Sequence, residues 1–196
     1  MIPWQLLGSS DVPGEPQPLT LHQRGSEFVI RIGALALMSS TAHGSEEALA
    51  ELACTRLAGR EGLRVLVGGL GMGFTLAAAL RTLPASARVE VAELVPAVIE
   101  WNRGPLAHLA GRPLDDPRVT VHAGDVGDSI RVKRARLDAI LLDVDNGPNG
   151  LTRAENDGLY SARGLAEAMS ALKPGGLFGV WSVQPDAEFA LSLIHI

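Results

Sequence analysis

The chain has 196 residues, of which 46% are hydrophobic and 20% charged, as in a globular protein with one core-forming domain and a small appendage. Its net charge of −5 disfavours a nucleic-acid partner, because phosphate binding calls for a basic surface. No apolar run approaches the roughly 20 residues of a membrane span, so no membrane partner is predicted. Cys54 is the one cysteine, and the first residues lack a signal-peptide pattern; both favour the cytoplasm.

The first part of the chain divides into two predicted segments. Residues 1–25 are rich in Pro, Gly and Ser, a composition that predicts a flexible N-terminal lead-in. Two short apolar runs follow at 27–32 and 34–38, separated by Gly33. This pattern predicts a small β-hairpin within residues 26–45.

Residues 46–190 are predicted to form an α/β domain. Its first helix begins at Ser45 and ends before Gly59. Further strands are predicted over 63–68, 88–93, 118–123, 137–143 and 176–183, and helices over 72–82, 95–109, 125–132 and 158–172. Nearly continuous Val, Ile, Leu and Ala in these strands indicates a parallel sheet covered on both faces. Few residues follow the fifth strand, so the domain is expected to be incomplete at its C-terminus, with a non-native tail at 191–196.

A glycine-rich turn ends the first strand of this domain. Gly69, Gly71 and Gly73 follow the spacing G-x-G-x-G, and a helical pattern begins directly after them. Such a turn exposes backbone N–H groups at a helix start, where a ligand can approach closely. No lysine follows the glycines, which argues against a phosphate-binding P-loop. The spacing is one residue tighter than in a dinucleotide motif and suits an adenosyl group; the alternative is that the glycines serve close packing alone.

Acidic residues follow the other strands of the predicted sheet. Glu93 ends the second strand, 20 residues after Gly73, where a carboxylate can accept hydrogen bonds from ribose hydroxyls. Asp125 follows the third strand and Asp143 ends the fourth. Parallel strands bring their carboxyl ends to one edge, so these residues predict a nucleoside site there. Taken alone, Asp125 is equally well explained as the N-cap of the next helix.

No metal site is predicted. His43 precedes a helix and His122 alternates with apolar residues along a strand. Neither has a His, Cys or Asp at metal-ligand spacing, so structural roles are favoured for both.

The motifs together resemble a known family. The chain resembles the class I S-adenosylmethionine-dependent transferases in the order of its motifs. These motifs are V-L-V-G-G-L-G-M-G, V-A-E-L, A-G-D-V, D-A-I-L-L-D-V-D-N-G-P and L-K-P-G-G-L. It is most similar to their spermidine synthase (polyamine aminopropyltransferase) branch, through Gly68-Gly69, Gly147-Pro148, Leu159-Tyr160 and the hairpin before the domain. The resemblance implies a Rossmann-like class I methyltransferase fold, a donor that is S-adenosylmethionine or its decarboxylated form, and no metal. It also implies a role in polyamine biosynthesis, with a small-molecule amine or another small acceptor as partner; a homodimer is left open.

The resemblance also implies roles for individual residues. Those implied to bind the donor are Gly69, Gly71 and Gly73 in the loop, Glu93 and Leu94 at the ribose, and Asp125 and Val126 at the adenine. Asp143 matches the family's candidate base, which removes a proton from the attacking amine.

Three positions depart from the family pattern and leave the reaction open. Gly71 stands where the family has an acid, Asn146 stands where it has a second aspartate, with Asp145 adjacent, and Ser45 stands where it has a tyrosine. The first hypothesis is aminopropyl transfer to an amine. The second is a methyltransferase acting on a small acceptor, which the missing acid favours because intact S-adenosylmethionine carries its own carboxylate. The third is a non-catalytic adenosyl-binding protein.

Overall fold

The computed structural model describes residues 2–144, 157–182 and 189. The strands are β1 (Gln5–Ser10), β2 (Leu19–Arg24), β3 (Glu27–Ile32), β4 (Leu35–Ser39), β5 (Arg64–Gly68), β6 (Arg88–Glu93), β7 (Val119–Ala123), β8 (Leu137–Leu142) and β9 (Leu172–Val180). The helices are α1 (Gly44–Thr55), α2 (Phe74–Thr82), α3 (Pro96–Arg103), α4 (Val126–Arg131), α5 (Asp157–Tyr160) and α6 (Ala162–Ala171), with a 3-10 turn at Pro113–Asp115. The predictions for Asp145, Asn146, Gly147-Pro148 and the tail 191–196 lie outside the described residues.

The N-terminal part of the chain is a four-stranded antiparallel sheet in the order β1-β2-β3-β4. The predicted hairpin is confirmed, because β3 pairs with β4. The predicted flexible lead-in over 1–25 is wrong, since β1 and β2 occupy most of it. Leu19 and Leu21 are buried, while the alternating Thr20 and His22 are only partly buried. Half-apolar strands of this kind do not stand out in a Pro- and Gly-rich segment.

The second sheet has five parallel strands in the order β7-β6-β5-β8-β9, which confirms the predicted α/β fold. β5 lies at its centre, where Val65, Leu66 and Val67 are fully buried. The next two strands in the chain, β6 and β7, lie on one side of β5, and the last two, β8 and β9, lie on the other side. The strand order therefore reverses between β5 and β8, the place where open parallel sheets form a crevice for ligands.

Two predicted element boundaries are corrected by the structure. The helix predicted over 95–109 ends at Arg103, because Gly104 leaves helical geometry and Pro105 has no N–H to continue the ladder. The last strand begins at Leu172, not at residue 176. Leu172 pairs with β8 before an irregularity at the Pro-Gly-Gly segment interrupts the register, so sequence patterning detects only the later half.

The two sheets share an apolar core. Leu21 and Ile30 of the N-terminal sheet belong to the same buried cluster as Val65, Val67 and their neighbours in the central sheet. The N-terminal sheet thus packs on the α/β domain and covers one side of it. Among the described residues, no helix has both the length and the apolar content that crossing a bilayer requires.

Candidate functional site

The turn between β5 and α2 is shaped by its glycines. Gly69, Gly71 and Gly73 have φ angles of +86°, +53° and +85°, which non-glycine residues rarely adopt. At Gly69 a Cβ atom would lie 2.2 Å from the backbone oxygen of Asp143, and at Gly71 it would lie 3.1 Å from Sδ of Met38. Residue 69 must therefore be glycine for two reasons, its positive φ angle and the close approach of the Asp143 backbone.

Glu93 fastens this turn to the end of β6. Its side chain is buried, with 8% exposure, and Oε2 accepts a hydrogen bond from the Leu70 N–H at 2.9 Å. The other oxygen, Oε1, accepts from the Val95 N–H at 2.8 Å. A carboxylate oxygen can accept more than one hydrogen bond, so Glu93 holds the glycine turn and can still accept from a ligand.

Asn102 supports the same turn from α3, and sequence reasoning missed it. Its Nδ2 group donates to the Gly71 carbonyl at 2.8 Å and to the Val98 carbonyl at 2.9 Å, and the side chain is buried. Nothing in the sequence marks this residue, because an asparagine in a helix carries no signal of a contact 31 positions away along the chain.

A cavity, partly open to solvent, lies over the turn. The predicted residues that line it are Gly69, Gly71, Glu93, Leu94, Asp125, Val126 and Asp143. Side chains of the N-terminal sheet, which the sequence did not assign to the site, form the facing wall: Leu19, Ile32, Leu37 and Met38.

Gly73 is the predicted site residue that the structure does not place at this cavity. It caps the N-terminus of α2, and a Cβ atom there would lie 3.1 Å from both Asn102 Oδ1 and Pro113. It supports the turn from behind, so ligand contact at this position stays a prediction.

Asp125 and Val126 line the cavity at the start of α4. The Asp125 carboxylate accepts a hydrogen bond from the Asp128 N–H at 3.2 Å and thereby caps α4. The structural role considered from the sequence is therefore present, and the residue also lines the cavity. Val126 is buried, with Cγ2 packed against Gly68.

Asp143 follows β8 directly at the point where the strand order reverses. Its N–H donates to the Gly68 carbonyl at 2.8 Å, and its side-chain Oδ2 accepts from Oγ1 of Thr75 at 2.5 Å. Burial raises the pKa of Asp143 to about 6; the hydrogen bond from Thr75 opposes this rise and the negative charge of Glu46 adds to it. A carboxylate with such a pKa is mostly ionised at neutral pH and can take up a proton when the pH falls slightly below neutral.

A second chamber adjoins the first and shares Asp143 with it. It is lined by a second carboxylate and by aromatic and thioether side chains, namely Glu46, Phe74, Trp181, Met38 and Met72. Sequence reasoning assigned neither Glu46 nor Phe74 to the site. Carboxylates and aromatic rings are the surfaces that attract organic cations, so this chamber suits a positively charged ligand.

His43 is the N-cap residue of α1, next to this chamber. Its ring stacks on Phe74 with centroids 3.9 Å apart, and Nδ1 lies 3.4 Å from Glu47 Oε1. These contacts support the structural role predicted for it.

Within residues 2–144, 157–182 and 189, no group of three or more His, Cys, Asp or Glu side chains is arranged to hold a metal ion.

The substitution Gly69→Ala is expected to destabilise the protein strongly and to disrupt the cavity. Gly111 is the matched control, because it has a similar φ of +73° and no atom lies within 4 Å of the place where a Cβ atom would stand. Gly111→Ala should cost about 1–2 kcal/mol from backbone strain alone. Gly69→Ala should exceed it by at least ~1 kcal/mol because the methyl group overlaps the Asp143 carbonyl. Equal losses in urea unfolding would contradict this account.

The raised pKa of Asp143 predicts a pH dependence of stability. A group whose pKa is higher in the folded state stabilises that state below its unfolded pKa, here 3.8, and the contribution is lost as the pH rises through about 6. Relative to Asp143→Asn, the parent should lose about 1–3 kcal/mol of unfolding free energy between pH 4 and pH 7. Urea unfolding of both proteins across this range measures the difference, and parallel pH curves would be the contrary result.

The fold with its preceding antiparallel sheet is the Rossmann-like architecture of class I S-adenosylmethionine-dependent transferases. A family model described as "Spermine/spermidine synthase domain" matches residues 43–191. The chain therefore belongs to the spermine/spermidine synthase domain family. None of the curated proteins matches it in sequence.

The solved structures that are similar to this chain include spermidine synthases. One in complex with the transition-state analogue AdoDATO has a TM-score of 0.75 at 20% identity, over 96% of this chain and 61% of its own. The enzyme from Thermotoga maritima has a TM-score of 0.72 at 20% identity, over 90% and 56%. A probable spermidine synthase from Corynebacterium glutamicum ATCC 13032 has 0.58 at 18%, over 88% and 62%. The chain thus spans about three fifths of the length of these proteins, and the likeness establishes the fold.

Proposed function

We propose that the protein is a spermidine synthase-like transferase that moves an aminopropyl group from decarboxylated S-adenosylmethionine to a small-molecule amine. The observation that carries this proposal is the position of Asp143, which lines both the cavity over the glycine turn and the chamber that contains Glu46. A carboxylate at the junction of a donor site and a cation site is placed to act between two bound substrates.

The donor is assigned to the first cavity. Its ribose hydroxyls bind the Glu93 carboxylate, while the backbone at Gly69 and Gly71 permits close approach of the adenosyl group. Its adenine lies toward Asp125 and Val126, where a carboxylate can accept from the amino group. The apolar wall from the N-terminal sheet excludes water from the sulfonium, which strengthens electrostatic interactions within the site.

The acceptor is assigned to the second chamber, where Glu46 and Asp143 attract a cationic amine. The ammonium nitrogen first gives a proton to the Asp143 carboxylate, and the lone pair that this frees forms a bond to the methylene carbon next to the sulfonium. The carbon–sulfur bond breaks, and its electron pair goes to sulfur, which leaves as a neutral thioether. The product nitrogen keeps its other two protons and leaves as a secondary ammonium. Positioning of the two substrates is the main source of acceleration, and the reaction as proposed uses no metal.

One observation favours a second candidate, a methyltransferase that uses intact S-adenosylmethionine. Gly71 supplies no carboxylate where the family pattern has an acid, and the space beside it is filled by the Met38 thioether, 3.1 Å from the position of a Cβ atom. An apolar wall does not repel the carboxylate of intact S-adenosylmethionine, whereas an acid would.

Donor preference separates the two candidates. The full chain is titrated calorimetrically with S-adenosylmethionine and with its decarboxylated form, and each mixture is then incubated with a panel of diamines and monoamines. We expect tighter binding of the decarboxylated donor and an aminopropylated amine detected by mass spectrometry. Methylated product would favour the second candidate, binding without product would favour the non-catalytic alternative, and no binding of either donor would overturn both transferase proposals.

Two further predictions remain to be tested. Cytoplasmic location can be examined by fractionating cells that express the protein. A homodimer can be examined by measuring the solution mass of the purified chain by light scattering.

A further inference from the structure

We propose that Thr75 is a positioning residue that fixes the Asp143 carboxylate at the junction of the two chambers. The inference rests on the function proposed above, in which Asp143 takes the amine proton. Thr75 is the second residue of α2, directly behind the glycine turn.

The contact is short and shielded from water. Thr75 is 2% exposed, and its Oγ1 lies 2.5 Å from Asp143 Oδ2. The other acceptor near this hydroxyl, the Glu46 carbonyl, lies 3.4 Å away. A threonine hydroxyl has one proton to donate, so the proton goes to the nearer oxygen, which is also the charged one. Thr75 does not line either chamber, so its effect on a ligand passes through Asp143.

The hydrogen bond completes the fixation of Asp143. On its backbone side, the N–H donates to Gly68 and the carbonyl packs against Gly69. On its side-chain side, Thr75 restricts rotation of the carboxylate. The base is therefore held to the same turn that binds the donor, and the distance between donor and base does not depend on a freely rotating side chain.

The hydroxyl also counteracts two unfavourable influences on the ionised carboxylate. Burial raises the pKa of Asp143, and Glu46 on α1 raises it further by charge repulsion. The hydrogen bond from Thr75 acts in the opposite direction. The other described side chains that share the second chamber with Asp143, from β4, the glycine turn, α2 and the segment after β9, carry no charge. Loss of the hydroxyl should therefore leave less of Asp143 ionised at neutral pH.

Thr75→Val, Thr75→Ser and a matched control test this assignment. Valine keeps the shape of threonine without the hydroxyl, and serine keeps the hydroxyl. Thr82→Val is the control, because Thr82 lies in the same helix and donates to the Ala78 carbonyl at 3.0 Å, away from Asp143. The first readout is the titration midpoint of Asp143 from carbon NMR of carboxyl-labelled protein, which needs no substrate. The second is the pH profile of kcat with decarboxylated S-adenosylmethionine and a diamine.

For Thr75→Val we expect a higher Asp143 midpoint, a matching shift of the acid limb of kcat to higher pH, and kcat at pH 7 roughly tenfold lower. The donor KM should stay close to that of the parent. Thr75→Ser and Thr82→Val should both titrate like the parent. An unchanged midpoint in Thr75→Val, or a midpoint in Thr75→Ser equal to that of Thr75→Val, would overturn the proposal. Absence of turnover in the parent would count against the proposed function, while the NMR titration would still decide the role of Thr75.

Discussion

The variant Asp143→Asn is expected to lower kcat by about 10²- to 10⁴-fold, the range attributed to a positioned general base. Asparagine has nearly the same shape, and its carbonyl oxygen can still accept the hydrogen bond from Thr75. It cannot take up a proton from the attacking amine. The donor KM should change little, since the ribose and adenine contacts assigned above do not involve this side chain.

The control for this variant is Asp115→Asn. Asp115 has an exposed carboxylate that pairs with Arg112 at 3.6 Å and does not line either chamber. The Asp115→Asn variant should have the same kcat as the parent protein. Steady-state assays with decarboxylated S-adenosylmethionine and a diamine, together with thermal melting, separate loss of chemistry from loss of folding. A folded Asp143→Asn protein with parental kcat would show that another group accepts the proton.

Glu93→Ala is expected to weaken donor binding by at least about 10²-fold. The carboxylate accepts from the N–H groups of Leu70 and Val95, and leaving a buried donor unpaired costs about 1–3 kcal/mol for each group. The glycine turn then loses its connection to β6, and the proposed ribose contact is lost with it. The free energy of unfolding should fall as well, because both N–H groups belong to the folded turn.

Glu93→Gln and Glu90→Gln form a matched pair that compares the loss of a carboxylate at the glycine turn with the loss of one elsewhere on the same strand. Glutamine at 93 keeps the volume but places an NH₂ group where one of the two N–H donors needs an acceptor. Glu90 lies on the same strand, pairs with Lys133 at 2.9 Å and does not line the cavity. Calorimetric titration with both donors should show weakened binding for Glu93→Gln and parental binding for Glu90→Gln. Equal affinities in the two variants would refute the assignment of the ribose site.

Seven of the residues that line the cavity over the glycine turn were predictable from the sequence, because they follow the ends of parallel strands. An apolar run, a turn and a helical pattern are local signals, and a parallel sheet brings the carboxyl ends of its strands to one edge. The positions of the glycine turn, Glu93, Asp125 and Asp143 at one edge follow from these two facts. The prediction for Gly73 was made on the same basis, and the structure places this glycine behind the turn.

The supporting contacts were not predictable, because they join residues far apart in the chain. Thr75 and Asp143 are 68 positions apart, and Asn102 reaches a carbonyl 31 positions earlier. Strands β1 and β2 were missed for a related reason: β1 has no fully buried side chain and β2 buries only Leu19 and Leu21, against a core formed mostly by later residues. The composition of these two strands therefore resembles that of a loop.

By itself the sequence determined the α/β class and the positions of the glycine turn, Glu93 and Asp143 at the ends of strands, since strand, turn and helix signals act over a few residues. The tertiary structure alone decided that side chains of the N-terminal sheet line the cavity, that Glu46 shares a chamber with Asp143, and that Thr75 donates a hydrogen bond to the Asp143 carboxylate. The physical reason is that burial, hydrogen-bond partners and the pKa of a carboxylate depend on which distant side chains are packed around it.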